Sequence, residues 1–328
     1  MSFPILLYLA IFFAALVGSA ASVPMWIRWS RRQGWLDDPG HRKIHLEPVP
    51  LAGGLAVFTG MAAVLALGTV AVGLHAFPPE YVDRLGYGLG KRAVQLAFVW
   101  VGALGMLLLG WMDDQWELSA ARKFLGQTVL ASMVATGGVR VTLFVPYPWF
   151  SYLVTILWIL TVTNAFNFTD NMNGLCAGLG ILGSGWFGIL AALHGQYLVA
   201  SLAFLVTGAL AGFLPFNYPR ASVFLGDAGS HLVGYWLAVL AILPHFYSQK
   251  RPGNPWAVLS PLLILAVPLL DLSSVVWSRT RAGRPFWIGD TNHFSHRLVR
   301  SGLSRSMAVF WLWVAGCVGG ALSLWLQG

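Results

Sequence analysis

The stretch NAFNFTDNMNGL, residues 164–175, lies between the apolar runs LVTILWIL (153–160) and GLGILG (178–183). It holds four Asn, one Asp and one Thr. The flanking runs read as membrane-crossing helices, so the amides sit at a membrane edge. An unpartnered amide is costly in lipid. Something polar must complete these side chains' hydrogen bonds.

The rest of the chain agrees with that reading. Of 328 residues, 57% are hydrophobic and 10% charged, against about 25% charged in soluble proteins. Many stretches approach the roughly 20 apolar residues that span a bilayer. The expectation is an all-α polytopic membrane protein forming one integral domain, 1–328, without a separate soluble domain. The opening MSFPILLYLAIFFAALVGSAASV lacks a basic leader and runs into Arg28, so it reads as a retained first helix. Cys176 and Cys317 fall in or beside apolar runs and suggest neither a disulfide nor a metal site.

Ten spans are expected: 3–27, 51–74, 93–112, 124–139, 151–166, 175–193, 197–215, 231–246, 257–277 and 306–326. Alternate connections then share a face. Residues 28–50, 113–123, 167–174, 216–230 and 278–305 carry 5, 2, 0, 1 and 6 Lys or Arg, 14 of the 20 in the chain. The positive-inside rule makes that face cytoplasmic. The net charge of +8 fits this basic face beside anionic lipid, or an anionic substrate; no nucleic-acid partner is expected. The same five connections hold nearly all the distinctive polar residues, as one site built from five loops would require.

Each loop carries a chemical reading and a plainer one. Asp113 and Asp114 are adjacent acids that can split their roles, or solvated carboxylates ending a helix. Lys123 suits phosphate, or anchors the helix at the interface. Asn164, Asn167, Asp170 and Asn173 recur every three residues, a slowly drifting stripe on a helix. Such oxygens can ligate Mg²⁺ or read a nucleotide, or simply bond neighbouring helices. In FLGDAGS (224–230) Asp227 is the single acid, either a Mg²⁺ ligand or the cap of a helix starting near Ser230. Phe224 suits base stacking or interface anchoring. His293 and His296 share a face if helical, and with Arg297 they suit a pyrophosphate. Asp271 lies inside the ninth span, as a functional carboxylate or half of an internal salt bridge. Arg42, Lys43 and His45 suit phosphate or lipid headgroups.

Six segments stand in one order: DDPGHRKIHLEPVPLAGG (37–54), GWMDDQWELSAARKFLGQ (110–127), NAFNFTDNMNGL, VFLGDAGS (223–230), PLLD (268–271) and the His loop. With them the chain resembles the polyprenyl-phosphate N-acetylhexosamine-1-phosphate transferases from residue 36 to about 300. The resemblance implies about ten helices around a cytoplasmic cleft in the bacterial inner (plasma) membrane, and homodimers are common in the family. It implies transfer of a sugar 1-phosphate from a UDP-N-acetyl sugar, N-acetylglucosamine foremost, to undecaprenyl phosphate, releasing UMP. By resemblance Asn167 and Asp227 hold Mg²⁺, with Mn²⁺ as a substitute. Asp113 and Asp114 match the pair argued to orient or deprotonate the lipid phosphate, and Lys123 matches a phosphate-contacting lysine. Asp170, Asn173, Asn217 and Phe224 fall where relatives hold the nucleoside, and His293, His296 and Arg297 fall near the diphosphate. Direct attack by the lipid phosphate is expected over a phospho-Asp intermediate.

Three motifs depart from the family pattern. Asn171 stands where Gly is common, and Asn173 where Asp is frequent. Ser295 replaces a middle His, which argues against the phospho-MurNAc-pentapeptide branch. The Pro of NYPRAS (217–222) sits one place early. From another class, a secondary transporter would use Asp271, but transporters place their sites at midplane in repeated halves and no internal repeat is present. A catalytically inactive homologue is disfavoured by the intact Asp113, Asp114, Asn167 and Asp227.

Overall fold

The computed structural model describes residues 3–38, 47–76, 79–142, 145–244, 254–285, 287 and 291–327. Lys43 and His45 lie outside the described residues. The chain is helical, as expected. In order come α1 (Phe3–Gln33), a two-stranded antiparallel ribbon of β1 (Leu36–Asp37) and β2 (Val49–Pro50), α2 (Gly53–Gly73), α3 (Pro79–Trp116), α4 (Ala120–Thr136) and α5 (Pro148–Thr169). Next are α6 (Leu175–Leu193), α7 (Tyr197–Asn217), α8 (Gly226–Ile242), a 3₁₀ turn (Pro255–Leu259), α9 (Ser260–Ile264), α10 (Ala266–Arg281), α11 (Phe294–Arg300) and α12 (Arg305–Trp325).

Each expected span has a helical counterpart. Among the described residues seven helices are long and apolar enough to cross a membrane, and a bent pair, Pro255–Ile264 with Ala266–Arg281, makes an eighth. The ninth expected span is thus not one rod but is broken by 69°. The remaining two, α4 and α8, have 17 residues each. At about 1.5 Å per residue they reach about 25 Å, the short end of what spans a bilayer.

Helix α8 forms the centre. All its residues except Asp227 and Ile242 are buried, against α2, α3, α5 and α6 among others. A helix apolar on every side has no face to give to solvent. Cross-helix hydrogen bonds tie it to its neighbours: Tyr235 Oη donates to the Val99 carbonyl at 2.7 Å. From α5, the indole of Trp158 donates to the Ala238 carbonyl at 3.2 Å. The close approach of α3 depends on Gly110. A Cβ there would lie 2.2 Å from the Asp227 carbonyl oxygen, as expected where small residues let membrane helices meet.

The helix boundaries move the chemistry off the loops. Helix α3 continues to Trp116, so Asp113 and Asp114 lie on its last turn. Lys123 lies in the first turn of α4, capped by Ser119. Helix α8 starts at Gly226, four residues before the expected Ser230, so Asp227 is inside its first turn. Gly226 takes φ +73°, a left-handed conformation that lets the chain enter the helix abruptly. Helix α5 runs on to Thr169, and α6 begins after Gly174, also left-handed at φ +76°. Of the three-residue stripe, Asn164 and Asn167 are helical, Asp170 is the C-cap and Asn173 lies in the turn.

Candidate active site

The ends of α3, α5, α7 and α10 and the starts of α4, α6, α8 and α11 meet at one edge of the bundle. Asp227 is the hub. Its Oδ1 accepts Nδ2 of Asn167 at 2.7 Å, and Asn167 also reaches Ser230 Oγ at 3.0 Å. Oδ2 of Asp227 is 3.7 Å from Lys123 Nζ. Lys123 pairs closely with Asp113 Oδ2, and Asp113 Oδ1 accepts the Leu118 N–H at 2.8 Å. The side chain of Asp113 is 2% exposed, whereas those of Lys123 and Asp227 are 31% and 35% exposed. The lysine and Asp227 therefore face an opening, with Asp113 behind.

Asp114 points elsewhere. Its Oδ1 accepts the Asp227 N–H at 2.8 Å and its Oδ2 the Ala228 N–H at 3.0 Å. Successive helical positions are about 100° apart, so two adjacent acids on α3 need not face one ligand.

The Asn-rich stretch divides its labour. Asn164 donates to Gln127 Oε1 at 2.7 Å and to the Leu160 carbonyl at 2.8 Å, which is the plain helix-bonding reading. Asn167 faces Asp227. Asp170 is half-buried. Burial, and then the Asp227 charge, push its carboxyl up to about 8. Asn173 donates to the Pro219 carbonyl at 3.3 Å. Asn217 is buried: its Oδ1 accepts the Gly174 N–H at 2.7 Å and its Nδ2 donates to the Val223 carbonyl at 3.0 Å. It staples the 170s turn to the segment before α8. The backbone of Phe224 bonds Pro50 and Gly53, each at 2.9 Å, which ties β2 and α2 to the same edge.

The His loop is anchored from two sides. Asp271, 3% exposed, accepts the Phe294 N–H at 2.6 Å and meets His293 Nδ1 at 2.7 Å. Asp271 is thus paired internally, with a histidine and a backbone N–H. Ser295 Oγ donates to Asn171 Oδ1 at 2.6 Å, and Asn171 Nδ2 donates to the Phe168 carbonyl at 2.7 Å. Two of the positions that depart from the family pattern are thus each other's partners. The His293 ring meets Phe168 edge-on at 6.0 Å, and the buried Arg279 guanidinium lies over the same Phe168 at 5.3 Å. His296 lies 6.2 Å from His293. Burial, with the neighbouring His293 and Arg300, lowers its pKa below the usual imidazole value. Arg297 is exposed over Phe294.

Gln127, Ser230 and His231 carry contacts that the sequence reading did not assign. His231 is buried, with Nδ1 2.6 Å from the Asp227 carbonyl. Its signal was a His four residues after Asp227 on an otherwise apolar helix.

A hard cation such as Mg²⁺ fits this donor set. Asp227 supplies a half-open carboxylate, and the Asn167 carbonyl oxygen makes no hydrogen bond among the described residues. Among those residues no cluster of three or more His, Cys, Asp or Glu could hold a metal. Mg²⁺ takes one or two carboxylates and completes its shell with substrate phosphates and water.

The "Glycosyl transferase family 4" model matches residues 96–245. The probable undecaprenyl-phosphate N-acetylglucosaminyl 1-phosphate transferase of Bacillus subtilis (strain 168) is 31% identical over 315 residues, covering 94% of this chain and 81% of that protein. The chain belongs to glycosyl transferase family 4. The decaprenyl-phosphate N-acetylglucosaminephosphotransferase of Mycobacterium tuberculosis (strain ATCC 25618 / H37Rv) is 34% identical over 337 residues, 94% of this chain and 80% of that one. The undecaprenyl-phosphate alpha-N-acetylglucosaminyl 1-phosphate transferase of Yersinia pestis is 28% identical, over 92% and 78%. The family match spans Asp113 through Asp227, the part of the edge in which the carboxylates, amides and Lys123 converge.

Proposed function

We propose that this membrane-embedded transferase moves N-acetylglucosamine 1-phosphate from its UDP donor to a polyprenyl phosphate, starting a cell-envelope polysaccharide. A lipid-phosphate oxygen attacks the sugar-side phosphorus. The bond from that phosphorus to the bridging oxygen breaks, and UMP leaves with that oxygen. The named relatives support the donor and acceptor classes. The observation that carries the reading is the meeting of Asp227, Asn167 and Lys123 at one half-open point.

Asp227 and Asn167 would hold Mg²⁺, which when bound supplies positive charge to offset the phosphates' repulsion. Lys123, held by Asp113, presents a cation to the same phosphates. A phosphomonoester is already largely ionised at pH 7, its second pKa being about 6, so positioning can replace a strong base. Burial, and then the Asp227 charge, push the Asp170 carboxyl up to about 8; in its neutral form it can donate to a nucleoside carbonyl. His293 is fixed by Asp271 with Nε2 left for the diphosphate, beside His296 and Arg297. The excess of Lys and Arg in these connections supports a cytoplasmic site in the bacterial inner membrane.

The test is the identity of the released nucleotide. Purified protein given UDP-N-acetylglucosamine, undecaprenyl phosphate and Mg²⁺ should release UMP and form a lipid diphosphate. Release of UDP would mean sugar transfer without its phosphate and would sink the reading.

A further inference from the structure

We propose that Asp114 is a positioning residue: from the end of α3 it caps the N-terminus of α8 and so fixes Asp227 against Asn167. Helix α8 needs such a cap. The first N–H groups of a helix lack partners within it, and here the first turn is buried except at Asp227. The residue before the helix, Leu225, offers no side-chain hydrogen bond. Asp114 fills the place with both oxygens, one on the Asp227 N–H at 2.8 Å and one on the Ala228 N–H at 3.0 Å. Charged acceptors make the stronger hydrogen bonds, and a carboxylate also suits the positive end of the helix dipole. A Cβ on Gly226 would lie 2.8 Å from Asp114 Oδ2, so only glycine leaves the carboxylate room.

The neighbouring acid does something different. Asp113 meets Lys123 and the Leu118 N–H. The adjacent pair therefore divides into one carboxylate that holds the phosphate-facing lysine and one that holds the metal-bearing helix. Both Asp114 oxygens are already engaged by backbone N–H groups of α8, whereas Lys123 and Asp227 are the side chains that face the opening.

The inference rests on Asp227 as a metal ligand, so its test uses one readout that does not. Full-length protein in detergent is compared as wild type, Asp114→Asn, Gly226→Ala and Asp113→Asn. Amide hydrogen exchange at residues 226–230 should speed up in Asp114→Asn and Gly226→Ala and stay at the wild-type rate in Asp113→Asn. Mn²⁺ binding with UMP present, followed by paramagnetic resonance, should weaken about 10-fold in the first two, the scale typical of lost support behind a ligand. Turnover of Asp114→Asn should recover substantially at high Mg²⁺. Gly226→Ala keeps the carboxylate and displaces it, but it also strains the left-handed backbone at φ +73°; Asp114→Glu, which keeps a carboxylate and moves it by one methylene, should speed exchange at 226–230 likewise and answers the question if Asp114→Asn does not fold. Unchanged exchange at 226–230 would overturn the cap. Unchanged Mn²⁺ affinity with turnover lost at every Mg²⁺ concentration would overturn positioning in favour of proton transfer. Wild-type protein that binds no Mn²⁺ would instead sink the metal reading of Asp227, and exchange alone would then decide the cap.

Discussion

Replacing Gly110 by Ala perturbs the site without changing any of its polar side chains. The new Cβ would lie 2.2 Å from the Asp227 carbonyl oxygen, 2.5 Å from its carbon and 2.7 Å from Ala228 Cα. All three atoms are backbone, so no rotamer change relieves the clash. Ordinary contact begins at 3.4 Å, and the α8 N-terminus must move by about 1 Å. A misplacement of that size can cost about 100-fold in rate. Overpacking costs about 1–3 kcal/mol, and the better helix propensity of Ala returns about 1 kcal/mol, so the variant should fold. The assay is UMP release at saturating substrates and Mg²⁺, with a thermal melt of the same sample. The expected result is about 100-fold lower turnover with a melt only a few degrees lower. Gly68→Ala is the control, because nothing lies within 4 Å of a Cβ there. Turnover of Gly110→Ala within about 3-fold of wild type would refute the idea that the α8 start must be held to a fraction of an ångström.

Other outcomes follow from single contacts. Asp271→Ala strips the acceptor from His293 and from the Phe294 N–H. At about 1–3 kcal/mol for each buried group left unpaired, it should lower the melting temperature as well as turnover; an unchanged melt would show that the anchor is not needed. A cycle of Asn171→Gly, Ser295→Ala and the double variant should give a coupling of about 0.5–1.5 kcal/mol, and additive losses would mean that the 2.6 Å bond is energetically idle. Asp170, held at about 8 against about 3.9 in an unfolded chain, resists ionisation when folded. Its contribution therefore falls as pH rises from about 4 to about 8 and is flat above. Without divalent metal, Asp170→Asn should melt progressively higher than wild type across that window; a constant difference would contradict the shift.

Hydropathy and charge made most of the architecture legible. All ten spans have helices, because a 57% hydrophobic chain in lipid can satisfy its backbone only that way. Boundaries were harder wherever glycine and acid residues stand at a helix start. FLGDAGS reads locally as a loop, yet α8 begins at Gly226 because Asp114, far away in sequence, accepts its first N–H groups. No local pattern contains that partner. The break at Leu265 was likewise hidden in a run with the length and composition of one helix. The candidate residues of the edge were legible by type and order. Their division of labour was not, since Asn164, Asn167 and Asn217 are the same side chain in three different settings. The Asn171–Ser295 bond shows why: two departures that look independent along the chain become one contact across it.

The most direct measurement of the central claim is UMP release across a Mg²⁺ titration by wild type and Asp227→Asn, with folding of both checked by melting. Asp227→Asn should retain the fold, through Asp114 and the backbone it caps, and lose nearly all turnover at every Mg²⁺ concentration. Near-normal UMP release by Asp227→Asn at limiting Mg²⁺ would contradict the account, because the carboxylate on which the α3, α4, α5 and α8 contacts converge would then not be where the chemistry occurs.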